Sequence, residues 1–365
     1  MDNDLNQYIK SKKKRRVIET TNVQKGGYCY NIELIRLIGI ILIMGHHLYH
    51  IGFEGSYIFK NCWVWVDLFF ILTGSFTYKH FVNKKDTSEK RYGTMALRYT
   101  INKFRRFFLL TAISVVVMCV ISYGELLLQY QWKQFARAVV YAPFEMFYLT
   151  SSGITKALNS PIWFLSAMFI VLPIISYLIQ AYPEMWKVIS FTLPILYFGY
   201  KGVNTDRAWP NDLVRAFVCI ALGTIAVLLA GRIKDFIGTS KKKMVIATII
   251  EIVSLLIAIY ISSFNISYIN LMEPLFLIIV SLMLSQSTAT TLIDNSVVLF
   301  MGKLSMPMFI FHWCVGSICV LITNNIYYRT LIYYVGTIVV AVIVVLIMDY
   351  LSKRRMIQNK GIGNV

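Results

Sequence analysis

Long apolar segments separated by short polar ones run along the chain from residue 32 to residue 351. A transmembrane helix needs about 20 mostly apolar residues; seven segments reach that length, and three are shorter or interrupted. The ten segments are 32–51, 62–82, 105–123, 161–182, 186–200, 212–231, 244–262, 270–285, 305–323 and 331–351. This pattern predicts an all-α polytopic membrane protein with about ten transmembrane helices.

One further apolar segment, 135–149, does not resemble a membrane span. It contains Arg137, Pro143 and Glu145. Charges are costly inside a bilayer and proline interrupts helices, so we expect an interfacial or re-entrant helix here. The segment lies in the longest predicted outer loop, 124–160, which is large enough to help shape a substrate site.

The composition agrees with a membrane protein. Of the 365 residues, 57% are hydrophobic and 15% are charged. The mean hydropathy of +0.61 is far above that of soluble proteins. We expect a basic cytoplasmic segment over residues 1–30, a transmembrane domain over 31–352 and a cytoplasmic tail over 353–365, without an additional soluble domain.

The net charge of +18 is distributed unevenly over the predicted loops. With the amino terminus inside the cell, most of the 36 Lys and Arg residues fall on the cytoplasmic side, as the positive-inside rule requires. Both termini are therefore expected in the cytoplasm. The basic run 12–16 could bind nucleic acid in another context, but ahead of a membrane helix we interpret it as an anchor to the lipid bilayer. No nucleic-acid partner is expected.

Several common catalytic and transport motifs are missing from the sequence. The six cysteines form no C-x-x-C pair, so neither a disulfide framework nor a metal site is indicated. No P-loop, GxGxxG or HExxH pattern occurs, which argues against an ATP-driven pump, a Rossmann enzyme and a zinc protease. No internal repeat is visible, which argues against transporters built from repeats.

The first apolar segment carries two ionisable residues, Arg36 and His47, eleven positions apart. On an α-helix this spacing ends about 20° past three full turns, so both side chains share one face and lie about 16 Å apart along the axis. A buried charge in a membrane protein is a functional candidate by default. The pair places a cation near the cytoplasmic side and a base near the outer side. His46 and His50 are expected about 100° and 60° away, in supporting positions.

Other candidates each have a functional and a structural interpretation. Asp67 could orient an imidazole or cap its helix, and His312 could take part in the chemistry or bond across helices. Trp163 could contact a substrate or anchor its helix at the membrane interface. Arg215 could meet an anionic acceptor. Glu33, one turn before Arg36, is expected to pair with it.

Four motifs together resemble the acyltransferase-3 family of multi-helix membrane acyltransferases, which modify bacterial surface glycans. The Arg36-to-His47 pair, with ten residues between, is the most specific of them. The others are Asp67-Leu68-Phe69-Phe70 with Thr73-Gly74, then Trp163-Phe164-Leu165, and the stretch from Ser305 to Phe311-His312. The family's Arg-x-x-Arg-type pair is similar to Lys103-x-x-Arg106 here, although Leu109 stands where the family usually has Pro, and Thr73 where it usually has Ser.

The resemblance implies an enzyme that transfers an acyl group, other than an aminoacyl group, from cytoplasmic acyl-CoA, expected to be acetyl-CoA, to a carbohydrate hydroxyl. The acceptor would be a cell-envelope or exported saccharide, and the membrane would be the bacterial plasma (inner) membrane. No metal is expected. The candidate catalytic residues are His47, Asp67 and His312. The candidate donor-binding residues are Arg36, Lys103, Arg105 and Arg106, and the candidate acceptor-binding residues are Trp163 and Arg215.

The chemistry of the residues agrees with this expectation. Acyl transfer to a hydroxyl needs a base, and neutral imidazole suits that task near pH 7. Coenzyme A carries several phosphates, so its entry should be lined by Arg and Lys. Two alternatives stay open: an exporter of polysaccharide or lipid-linked sugar without acyl transfer, and a membrane sensor or scaffold. The sequence leaves open the saccharide, its hydroxyl, the acyl chain, a covalent acyl-histidine and the oligomeric state.

Overall fold

The computed structural model describes residues 29–53, 58–83, 91–129, 131–154, 157–203, 212–264, 268–293 and 295–361. The described residues form α-helices and short 3-10 helices, with no strand among them. The α-helices are α1 Tyr30–His46, α2 Trp65–Val82, α3 Tyr92–Leu128, α4 Trp132–Met146, α5 Trp163–Ala181, α6 Pro183–Val203, α7 Asp212–Ile237, α8 Lys241–Ser263, α9 Met272–Ser285, α10 Ser296–Ile322 and α11 Ile326–Gly361. The basic run 12–16 lies outside the described residues.

The all-helical membrane class is confirmed, but the number of about ten spans is not. Within the described ranges, seven helices are long and apolar enough to cross a membrane: α1 with its 3-10 extension, α3, α5, α7, α8, α10 and α11. Helix α9 is a shorter apolar helix, and α2 and α6 fall outside the seven although they occupy predicted spans.

Three helix boundaries differ from the sequence-based expectation. Helix α3 begins at Tyr92, so most of the segment 83–104, expected as a loop, is helical. Helix α11 continues to Gly361, beyond the expected end of the membrane domain at residue 352. The segment expected to form a re-entrant or interfacial helix contains α4, and Tyr148 just after it has a left-handed backbone (φ 60°).

Helices α2 and α7 pack closely in the centre of the bundle, through two glycines. A Cβ atom on Gly74 would collide with the backbone carbonyl of Ile220, and one on Gly223 would collide with that of Ile71. Ser75 Oγ lies 3.0 Å from the Gly223 carbonyl oxygen, to which it donates a hydrogen bond. Small residues that let helix backbones approach are typical of membrane interfaces. Gly74 and Ser75 of the α2 motif therefore have a packing role.

The buried core is shared by α1, α2, α5, α7 and α10, whereas α8 and α11 expose most of their apolar side chains. Apolar residues on the outside of a membrane bundle face lipid, which has the same polarity. Arg36, Asp67, Trp163, Arg215 and His312 all lie on these central helices. The bundle therefore isolates its candidate site from the surrounding lipid.

Candidate active site

A cavity of about 820 Å³ lies between α1, α2, α3, α5 and α10, and its basic side chains lie toward the ends of α1, α2 and α3 that the charge distribution assigns to the cytoplasm. Four basic side chains, Arg36, Arg98, Lys103 and Arg106, line it together with His80. Aromatic, aliphatic and thioether side chains form most of the rest of the wall, together with Thr73 and Asn102. A cavity with a cationic part and an apolar part suits a ligand that carries phosphates on an apolar tail.

The long helix α3 carries three of the four Arg and Lys side chains that line the cavity. Arg98, Lys103 and Arg106 all line the cavity, whereas Arg105 does not. The structure therefore brings three of the four predicted donor residues together and leaves Arg105 out. Arg98 was missed because the segment before residue 105 was expected to be a loop, outside the predicted membrane helices.

Arg36 is tied to the wall by the predicted ion pair. Its guanidinium Nη1 lies 2.8 Å from Glu33 Oε2, which confirms the pairing. Glu33 itself packs against α10, since a Cβ atom on Gly302 would collide with the Glu33 side chain. The pair leaves Arg36 partly exposed to the cavity, and several of its guanidinium N–H donors remain for a ligand.

The histidines lie beyond the cavity, where α1 changes its geometry. The α-helix ends at His46, and His47 begins a 3-10 turn that runs to Ile51. A 3-10 helix has three residues per turn, so His47 and His50 share a side, and the predicted 60° offset of His50 is wrong. Both rings contact Trp313: His50 stacks on it at 3.7 Å between centroids, and His47 meets it edge-on at 5.2 Å. The His46 ring also contacts the His47 ring, at 4.8 Å between centroids, and its Nδ1 lies 2.6 Å from the Lys60 carbonyl oxygen.

His312 lies beside His47, with ring centroids 5.2 Å apart. Its Nδ1 is 2.9 Å from the Phe309 carbonyl oxygen and 3.1 Å from that of Met308. Carbonyl oxygens only accept hydrogen bonds, so Nδ1 carries the proton and Nε2 carries the lone pair. His312 Nε2 and His47 Nδ1 are both buried without a hydrogen-bond partner among the described residues.

Asp67 and Arg215 form a buried ion pair. The Arg215 Nε atom lies 2.6 Å from Asp67 Oδ1, and both side chains are almost fully buried. The prediction that Asp67 orients an imidazole therefore has no support in these contacts, because its partner is an arginine on α7. The second carboxylate oxygen, Oδ2, has no hydrogen-bond partner within the described part of the chain.

Two tryptophans flank the Arg215 guanidinium. Its central carbon lies 4.7 Å from the ring centroid of Trp63 and 5.3 Å from that of Trp163. Cations are attracted to the faces of indole rings. The two predicted acceptor residues, Trp163 and Arg215, are therefore brought together, next to the segment whose Lys60 carbonyl holds His46.

A comparison with known protein families shows which family the chain belongs to. The family model Acyl_transf_3, an acyltransferase domain, matches residues 30–350, nearly the whole described bundle. The chain belongs to the acyltransferase-3 family. No curated protein and no solved structure gives a significant match to it.

In this membrane acyltransferase, a hydrogen-bond network that sequence reasoning missed supports α10 next to His312. Glu145 on α4 accepts hydrogen bonds from the backbone N–H groups of Leu158 and Asn159, each at 2.8 Å. Asn159 then donates its Nδ2 to the Ile310 carbonyl oxygen, two residues before His312, at 2.8 Å. Burial raises the pKa of Glu145 to about 7, against the lowering effect of its two backbone hydrogen bonds.

The signal that could have found this network was the charged Glu145 inside an apolar segment. A buried carboxylate needs partners, and loop backbone N–H groups supply them here. Helix α4 and the residues just before α5 are thereby connected to the helix that carries His312.

Proposed function

We propose that this acyltransferase transfers an acyl group, in the simplest case acetyl, from cytoplasmic acyl-CoA to a hydroxyl of a cell-envelope or exported saccharide. The observation that supports the proposal is that a cationic cavity and a pair of histidines lie at opposite ends of one helix. Arg36 lines a cationic cavity at one end of α1, and His47, with His312 beside it, follows the other end. A phosphate-bearing donor and a hydroxyl acceptor could therefore meet between opposite sides of the membrane.

The donor would bind with its phosphates among Arg36, Arg98, Lys103 and Arg106. Arginine is suited to phosphates because its guanidinium donates two parallel hydrogen bonds. The apolar part of the cavity would hold the pantetheine arm, so that the thioester points toward the histidines. This orientation requires both termini to be cytoplasmic, in a bacterial plasma membrane, as the charge distribution favours.

His47 would act as the general base and His312 as the residue that orients it. If His47 Nδ1–H donates to His312 Nε2, the His47 Nε2 lone pair is free to accept a proton. It takes the proton of the acceptor hydroxyl while that oxygen bonds to the acyl carbonyl carbon. The carbon–sulfur bond then breaks, and the departing thiolate receives the proton from the imidazolium. A short-lived acyl-histidine is the less direct variant of the same step.

The acceptor would approach from the outer side, near Trp163 and the Arg215–Asp67 pair. Aromatic rings provide flat apolar faces, and charged groups provide hydrogen bonds, so the two together suit a sugar. The buried ion pair would serve mainly to hold the tryptophans in place, because its charges are already matched.

Membrane vesicles of opposite orientation test the proposal. Labelled acetyl-CoA is added outside everted vesicles, whose cytoplasmic face is exposed, and outside right-side-out vesicles, both from cells that produce the protein and its glycan. We expect label in the glycan fraction of everted vesicles alone, and none with His47→Ala. Label in the glycan fraction of the right-side-out vesicles would contradict the proposed orientation. Glycan export without any label transfer would favour the exporter.

A further inference from the structure

Three phenylalanine rings from three helices meet between the donor cavity and the histidine pair. The ring centroids of Phe164 and Phe309 are 5.3 Å apart, those of Phe69 and Phe164 are 6.2 Å apart, and those of Phe69 and Phe309 are 6.3 Å apart. Each ring is therefore in contact with the other two. We call these residues the phenylalanine triad.

The triad touches the cavity on one side and the histidines on the other. Phe69 and Phe164 line the cavity, whereas Phe309 does not. The Phe309 ring centroid lies 6.1 Å from that of His312. Along α10, cavity-lining Met306 precedes Phe309 by one turn, and His312 follows by one turn. Phe309 therefore lies where the donor cavity ends and the histidine pair begins.

Helix α1 closes the remaining side of the triad. Gly39 lies between Arg36 and His47 on this helix, and a Cβ atom there would lie 3.4 Å from the Phe69 ring. The rings of Phe164 and Phe309 are almost fully buried. A thioester that reaches His47 from the cavity must therefore pass between α1 and three rings in mutual contact.

We infer that the phenylalanine triad restricts the acyl chain that reaches the histidines to a short one. This inference rests on the proposed function and names its donor class more closely: acyl-CoA with a short acyl group. The acyl group enters ahead of the sulfur, so each added methylene has to find space among close-packed rings. Insertion of methylenes into a packed interior is unfavourable, because side chains must leave their rotamers.

The test measures kcat/KM of the purified full-length enzyme with acetyl-CoA and with hexanoyl-CoA. Phe309→Leu removes the ring edge at the end of the cavity, and Phe69→Ala opens the triad at its half-buried member. Each should raise the hexanoyl-to-acetyl ratio by about tenfold or more, since one methylene in an apolar pocket changes selectivity by that order. Phe276→Leu, a fully buried ring on α9 outside the cavity, is the matched control and should leave the ratio unchanged.

The outcomes separate this inference from the proposed function. A wild-type enzyme that transfers acetyl, with an unchanged chain-length ratio in both Phe309→Leu and Phe69→Ala, would overturn the role of the triad alone. A ratio that rises equally in Phe276→Leu would do so too, because the effect would then come from general loosening. A wild-type enzyme that turns over no acyl-CoA of any length would overturn the proposed function and this inference with it.

Discussion

The imidazole rings of His47 and His312 lie 5.2 Å apart between centroids, although 265 positions separate the two residues along the chain. His312 is fixed in one tautomer by two backbone carbonyls, so its Nε2 lone pair is available to a neighbour. His47 Nδ1 is the buried neighbouring nitrogen without a partner among the described residues. If His47 Nδ1–H donates to His312 Nε2, the other nitrogen of His47, Nε2, is available to act as the base.

His312 can be tested by two amide variants. His312→Gln keeps a polar group near the position of Nε2, whereas His312→Asn keeps only a donor near that of Nδ1. We expect kcat to fall by about 10²-fold in His312→Asn and by less in His312→Gln, with acyl-CoA affinity unchanged in both, because a group that assists proton transfer contributes on this order. Wild-type kcat in His312→Asn would remove His312 from the mechanism.

Arg36 should determine donor affinity. Arg36→Ala should weaken acyl-CoA binding by about 2 kcal/mol, roughly 30-fold, because hydrogen bonds to a charged group are lost. Arg36→Lys should restore only part of it, since an ammonium cannot replace a fork of donors. Binding is measured by calorimetry in detergent.

Two variants control the Arg36 experiment. Arg105→Ala removes a neighbouring cation that does not line the cavity and should leave donor affinity nearly unchanged. Glu33→Gln with Arg36→Ala removes the carboxylate that the single variant leaves unpaired. Donor affinity equal to wild type in both Arg36 variants would show that this residue is not part of the donor site.

The Asp67–Arg215 ion pair should contribute to the stability of the protein more than to the chemistry of acyl transfer. Asp67→Ala leaves a buried guanidinium without its counter-ion, which typically costs about 3–5 kcal/mol of stability. We expect a marked loss of Tm in detergent. Glu184→Ala breaks an exposed ion pair of similar length, at 2.7 Å, and should leave Tm unchanged, because solvent screens it. A normal Tm in Asp67→Ala, together with lost transfer, would instead support the original assignment of Asp67 as a catalytic residue.

Glu145 should make stability depend on pH. Its pKa is raised to about 7 in the folded protein, from an ordinary value of 4.5. Between these pH values the unfolded chain loses a proton that the folded chain keeps, so stability decreases as pH rises through this range, and the effect is complete above about pH 7. We expect the slope of Tm against pH to be smaller in Glu145→Gln. An identical slope in the variant would assign the pH dependence to other groups.

The sequence predicted the features that depend on local spacing. The Glu33–Arg36 pair follows from one helical turn, and the membrane class follows from the apolar segments. The extension of α3 to Tyr92 was missed because residues 92–104 are rich in polar and charged side chains. Without that helix, Arg98 could not be predicted to line the cavity with Lys103.

The features that the sequence did not predict depend on long-range packing or on a local change of helix type. Asp67 and Arg215 are 148 positions apart, and nothing in either segment indicates that they meet. The 3-10 turn after His46 moves His50 to the side of His47, which a continuous α-helix would not do. The hydrogen bond from Asn159 Nδ2 to the Ile310 carbonyl oxygen likewise joins segments 151 positions apart.

His47 is the proposed base that activates the acceptor hydroxyl, and one comparison of variants tests this role most directly. Acyl transfer and acyl-CoA binding are measured side by side for wild type, His47→Ala and His46→Ala in the same detergent. We expect His47→Ala to lose about 10²–10⁴-fold in transfer while it binds acyl-CoA normally, and His46→Ala to retain much more activity, since its ring is held by Lys60. Transfer by His47→Ala at a rate near that of wild type would contradict the mechanism.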